Sequence, residues 1–164
     1  MIQIDLRKLA IQNRVEELRT AIMEEADPNM KDRLGSTALL AAIAYKRLEV
    51  IPVLLEHGAD VTAQDKDGST ALHYAIEHKL PAVLEALVER CPEAVFISDK
   101  HGNQPLWTAA FNARGEYEMV STLLRNGANP NHCNNIGLCP LDTPKRKGEL
   151  ALLHLLESAP SAKT

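Results

Sequence analysis

Apolar residues in this chain fall in short clusters at helical spacing, and the clusters come in pairs. Leu39, Ala42 and Ile43 lie at i, i+3 and i+4, which predicts a short helix that Thr37 opens as N-cap or first-turn residue and that runs to about Tyr45. A second stripe, Leu48, Ile51, Leu54 and Leu55, predicts a helix from about Leu48 to His57. Pro52 falls in or near its first turn, where a missing N–H costs little, and Gly58 is placed as a left-handed C-cap. The pair returns as Thr70 to about His78, with Leu72, Ala75 and Ile76 inward, and Pro81 to Arg90. It returns again as Pro105 to about Asn112 and Glu116 to Asn126. At the start, helices are expected over about Leu6 to Gln12 and Val15 to Glu25. At the end, Pro140-Leu141-Asp142-Thr143-Pro144 precedes a helix from Glu149 to Glu157 carrying Leu150, Leu152, Leu153, Leu155 and Leu156. Five helix pairs follow, and the fold class is all-α.

The pairs share letters as well as periodicity. Gly35-Ser36-Thr37-Ala38-Leu39 is repeated as Gly68-Ser69-Thr70-Ala71-Leu72, 33 residues later. Looser copies, Gly102-Asn103-Gln104-Pro105-Leu106 and Gly137-Leu138-Cys139-Pro140-Leu141, follow after 34 and 35 more. A second landmark keeps step: Ala26-Asp27-Pro28-Asn29, His57-Gly58-Ala59-Asp60, then Asn126-Gly127-Ala128-Asn129-Pro130-Asn131. A fixed period of this size means a stack of like units whose contacts are between neighbours. On these residues the chain resembles the ankyrin repeat, over roughly Met1 to Ala159. The resemblance implies a solenoid of about five helix-turn-helix units with projecting turns, the terminal units acting as caps. The expected domain is residues 1–160, with units near 1–31, 32–64, 65–98, 99–133 and 134–160 and a tail over 161–164.

Departures from the period are informative. Cys91-Pro92-Glu93 stands where a Gly-Ala-Asp exit is expected, and a two-residue insertion near Ala113-Arg114-Gly115 widens one inter-helix loop. The end units need polar outer faces because they have no neighbour on one side. Arg7, Lys8, Gln12, Glu16, Glu17, Arg19 and Glu24 supply one in the first unit. With pairs stacked at roughly 8–10 Å, five units make a slab about 40–50 Å long, a shape that offers no deep central pocket.

Charge and cysteines narrow the function classes. The 18 basic and 22 acidic residues leave a net charge of -4, which weighs against nucleic acid as partner. No run of 18 apolar residues suggests a membrane span, and the first residues lack an apolar leader core. Three cysteines, Cys91, Cys133 and Cys139, form an odd count without paired spacing, so a reducing cytoplasmic setting is expected.

No catalytic constellation stands out, and no enzyme activity or cofactor is expected. Glu77 and His78 are adjacent on a helix and so do not face each other. His132, Cys133 and Cys139 lack zinc spacing and a fourth ligand, so no metal site is expected. Lys145-Arg146-Lys147 reads as a solvated helix end. The resemblance gives His73 a structural role, a hydrogen bond to backbone that steadies its turn. The equivalent positions hold Leu40, Trp107 and Asp142. Trp107 is expected to be core or half-buried.

What the resemblance implies about function is a rigid protein-binding surface on the concave side, made of turn tips and first helices. Carried onto this chain, the tips supply Arg33, Leu34 and Ser36, then Lys66, Asp67 and Ser69, then Lys100, His101 and Asn103. The helices supply Ala44 and Tyr45, Glu77 and His78, and Phe111 and Asn112. Tyr45 and Phe111 are scarce aromatics at exposed slots, and aromatics are favoured interface anchors. Arg33, Lys66 and Lys100 hold equivalent places and are expected to form a basic line that suits an acidic partner. The leading expectation is a non-enzymatic binder, monomeric when free, that blocks another protein, a toxin or enzyme, as an inhibitor or immunity protein. A general adaptor or scaffold is the alternative; an enzyme using Glu77, His78 and His101, or a nucleic-acid binder, ranks below both.

Overall fold

Three of the five first helices start where a side chain occupies orphan backbone groups at the helix entrance. A computed structural model describes residues 5–159, so Pro160 and the tail expected over 161–164 lie outside the described residues. Asp5 accepts from the Arg7 and Lys8 N–H groups and opens α1 (Leu6–Ile11). Thr37 accepts from the Leu40 N–H at 3.3 Å and opens α3 (Ala38–Ala44). Thr70 and His73 form a reciprocal capping box at α5 (Ala71–Glu77). Prolines sit at the first helical position of α6 (Pro81–Arg90) and α7 (Pro105–Asn112), where fixed φ favours the helix. The remaining helices are α2 (Val15–Met23), α4 (Val50–Glu56), α8 (Glu118–Arg125), α9 (Asp142–Lys147) and α10 (Leu150–Glu157). There are ten helices in consecutive pairs, and no strand, among the described residues.

The turn inside each pair reverses the chain through one left-handed residue. Asn13, Lys46 and Lys79 adopt φ of 56°, 54° and 55°, each costing about 1–2 kcal/mol for a side chain with Cβ. The next N–H then returns to a helix carbonyl: Arg14 to Leu9, Arg47 to Ala42 and Leu80 to Ala75, all within 3.0 Å. The insertion in the fourth unit replaces this turn with a wider one in which both Arg114 and Gly115 have positive φ.

Small residues set the thickness of the stack. Ala38, Ala42, Ala71, Ala75, Ala109 and Ala110 are buried along the first helices, between Leu39, Ile43, Leu72, Ile76 and Leu106. Neighbouring first helices, α1 on α3 on α5 on α7, approach one another more closely than neighbouring second helices do. A layer with shorter spacing on one side curves toward that side, so the first helices line the inner face. Each fully buried leucine in this sandwich contributes about 1.5–3 kcal/mol. The fifth pair is more lightly attached, with only a few residues of α9 against α7.

Several expectations need correcting. Leu48 is not part of the inward stripe: α4 starts two residues later, at Val50, and Leu48 is half exposed. The α8 helix likewise begins at Glu118 rather than Glu116. Leu150 points outward, whereas Leu152 and Leu156 are buried. After α6 the missing glycine is replaced by a short 3-10 helix, Pro92–Phe96, which buries Ala94 and Val95. The cysteines are not all unpaired. Cys133 and Cys139 form a disulfide, because the turn between them folds back on itself, and only Cys91 is free. That pairing removes the argument for a reducing compartment drawn from unpaired cysteines.

Candidate protein-interaction surface

The turn tips are built by an acid or amide three residues before each tip glycine. Oδ1 of Asp32 accepts from the Leu34 and Ser36 N–H groups, both at 2.8 Å. Asp65 does the same for Asp67 and Ser69, Asp99 for His101 and Asn103, and Asn134 for Ile136 and Leu138. This carboxylate-to-backbone bracket closes each turn from inside. A ladder then joins successive tips: Lys66 N–H donates to Leu34, Lys100 to Asp67, and Asn135 to His101, each at 2.9 Å. Glycine is required at the point of contact. At Gly68, with φ +76°, a Cβ would lie 2.7 Å from the Lys100 nitrogen.

His73 links this tip layer to the helices. Its Nδ1 accepts from the Thr70 N–H at 3.2 Å, so the proton sits on Nε2, which donates to the Asn103 carbonyl at 3.1 Å in the next unit. Burial holds the imidazole below its usual pKa, which keeps it in the neutral form that this geometry needs. The backbone-steadying role expected of His73 is what its contacts display. Asp142, at the equivalent place in the last unit, accepts from the Cys139 N–H at 2.8 Å instead.

Of the expected surface residues, Arg33, Leu34, Tyr45, Lys66, Glu77, Lys100, His101 and Phe111 are exposed, and Asp67, His78 and Asn112 are half-buried. Asn103, expected at a tip surface, is buried instead. Its amide donates to Asp99 at 3.0 Å and its carbonyl oxygen accepts from Asn134 at 2.8 Å, so it ties two units together. The basic line is interrupted. Lys100 pairs with Asp67 at 2.6 Å, and that hydrogen bond pulls the Asp67 carboxyl below its ordinary range. Arg33 and Lys66 keep solvent-facing charges.

Between Tyr45 and Phe111 the third unit places polar side chains. His78 stacks on Tyr74 at 6.3 Å, and the Tyr74 hydroxyl donates to Asp65 at 2.8 Å. Desolvation lifts the Glu77 carboxyl above its usual range, with Asp65 and Asp99 adding to the effect and His78 opposing it. Tyr45 therefore stands apart, whereas Phe111 stacks on Trp107 with ring centroids 5.1 Å apart. Trp107 is half-buried, and its Nε1 is enclosed without a hydrogen-bond partner among the described residues. Lys147 from the last unit donates to the Phe111 carbonyl at 2.7 Å and lies 4.8 Å above its ring.

Little on this surface suits covalent chemistry. Burial and the nearby Glu93 raise the Cys91 thiol pKa, which disfavours the thiolate. No group of three or more His, Cys, Asp or Glu could hold a metal ion among the described residues. No helix among them is long and apolar enough to cross a membrane. The signal that marks the tip acceptors in the sequence is their constant distance from the tip glycines, kept by Asp32, Asp65, Asp99 and Asn134. The contacts of Lys147 carried no such signal.

A comparison with curated proteins finds no match. The family profile for ankyrin repeats (3 copies) matches residues 8–94 and 63–134, which together span most of the chain. Ankyrin repeats are binding modules and typically non-catalytic. Capped first helices, bracketed tips, a one-residue ladder between neighbours and this match agree on one point: the chain belongs to the ankyrin-repeat family.

Proposed function

We propose that the protein acts by occupation: a non-enzymatic binder that covers a functional surface of another protein, as an inhibitor or immunity-type protein, through the tips and first helices. The observation that carries this reading is the division of labour along each unit. Asp32, Asp65, Asp99, His73 and the tip glycines hold the scaffold together. The neighbouring Arg33, Leu34, Tyr45, Lys66 and His101 have exposed side chains and add little to that scaffold, and Phe111 is half exposed on its stack with Trp107. Side chains held on a prebuilt frame need little ordering when a partner binds. A standard interface of about 800 Å² on each side fits on such a face. The proposed partner is a protein with an acidic patch facing Arg33 and Lys66.

The test is affinity capture from the native source with identification by mass spectrometry. Wild type is compared with a Tyr45→Ala, Phe111→Ala, Lys66→Glu variant of unchanged helical spectrum. One dominant protein retained by wild type and lost by the variant supports the reading, and loss of that protein's own activity on addition of wild type supports inhibition. Equal capture by both forms moves the interface elsewhere. Capture with the partner's activity unaltered favours an adaptor.

A further inference from the structure

Resting on the inner-face reading above, we propose that the specificity site of this surface is a cleft between the fourth and fifth units, which takes a partner segment carrying a large apolar side chain beside a carboxylate. The cleft has a volume of about 320 Å³ on its tip side, lined by Trp107, Phe111, Asn134, Ile136 and Leu138 among others. A smaller recess of about 80 Å³ adjoins it and shares Trp107, Phe111 and Leu138, with Arg146 and Lys147 at its edge. The floor is therefore a stacked aromatic pair, Trp107 on Phe111, flanked by Leu138. Ile136 is 78 % exposed at one lip and Phe111 is 50 % exposed. Two strongly exposed apolar groups at a concave aromatic site make an anchor pocket for an apolar side chain.

Charge selects the occupant. Arg146 lines the recess and makes no hydrogen bond or ion pair among the described residues. Lys147, beside it, is held against Phe111. Asp142 is the one carboxylate lining the recess, and it already accepts from the Cys139 N–H. His101 stands at the tip side. An unpaired guanidinium next to an apolar floor suits a carboxylate held in fork geometry; on the third unit the aromatic pair is instead Tyr74 on His78, with the Tyr74 hydroxyl committed to Asp65.

The chain contains a single tryptophan, so the indole N–H resonance reports on this cleft and nowhere else. The experiment pans a random dodecapeptide display library against the full chain, then titrates the recovered peptides while following that resonance. The expected result is enrichment of peptides with Asp or Glu within three residues of Leu, Ile or Phe, a saturating shift of the indole signal, and about tenfold or weaker binding to the Arg146→Glu variant. A Leu138→Gln variant, at a half-buried lip, is expected to weaken the same peptides while Glu89→Lys, exposed on the outer helix α6, leaves them unchanged. Peptides that shift only Tyr45 and tip resonances overturn the cleft and leave the inner-face reading standing. Peptides that shift α4, α6 and α8 overturn both. No enrichment, or enrichment without acidic residues and with Arg146→Glu binding normally, overturns the cleft.

Discussion

The third and fifth units carry the same tip glycine in the same conformation, and the two glycines face opposite circumstances. Gly68 has φ +76° and the backbone of Lys100 and Asp99 pressed against it, whereas Gly137 has φ +77° and nothing within 4 Å. In the third unit His73 reaches across to the Asn103 carbonyl. In the fifth, Asp142 bonds only within its own unit, accepting from the Cys139 N–H, and a disulfide, Cys133 to Cys139, closes the tip locally. A central repeat is held by its neighbours; a terminal one supplies its own restraints. The difference also leaves the last interface more open, which is where the aromatic cleft lies.

The largest effect expected from this contrast is in the glycines. Gly68→Ala adds backbone clash to left-handed strain and should lower stability by about 3 kcal/mol. Gly137→Ala incurs only the conformational term, about 1 kcal/mol. Urea unfolding of both variants checks this, and equal losses would contradict the account of tip packing. Next comes His73→Leu, which copies the residue that the second unit holds at Leu40. It leaves the Thr70 N–H without its acceptor and should lower stability by about 2 kcal/mol; an unchanged urea midpoint would remove His73 from the frame.

The same histidine makes stability depend on pH. Its folded pKa lies below the ordinary value of 6.5 because burial disfavours the charged ring. Between the two values the unfolded chain binds a proton that the folded chain does not. The contribution is therefore complete above pH 6.5 and is lost as pH falls below it. Wild type should lose more stability than His73→Leu between pH 7 and pH 5, measured by thermal unfolding at each pH. The smallest effect is expected from a Tyr45→Ala, Lys66→Glu variant, whose stability should stay within about 1 kcal/mol of wild type. A large loss there would show that these side chains hold the fold instead of meeting a partner.

How far the sequence could be read depended on how local each signal was. The bounds of α6 and the start of α7 are legible because Pro81 and Pro105 can stand only in a first turn. The starts of α4 and α8 are not, since Glu49 and Tyr117 make no side-chain cap and hydrophobic spacing alone extends the helix over Leu48 and Glu116. His73 is legible through the family pattern. Asn103 is misread because its burial comes from bonds to Asn134, a residue of the next unit. The cysteine pair is missed for a related reason: metal and redox templates use other spacings, whereas here the tip turn itself brings Cys133 to Cys139. At the candidate surface, exposure of Tyr45 and Phe111 follows from their repeat positions. The pairing of Lys100 with Asp67 and of Lys147 with Phe111 depends on contacts between units, which the repeat pattern does not specify.

The most direct test of the central claim is hydrogen exchange on the protein bound to the partner that affinity capture identifies. Binding on the inner face predicts new protection at the tips around 33–36, 66–69 and 100–103 and along α3, α5 and α7, with α4, α6 and α8 unchanged. Protection confined to the second helices would contradict it and place the working surface on the outer side of the stack.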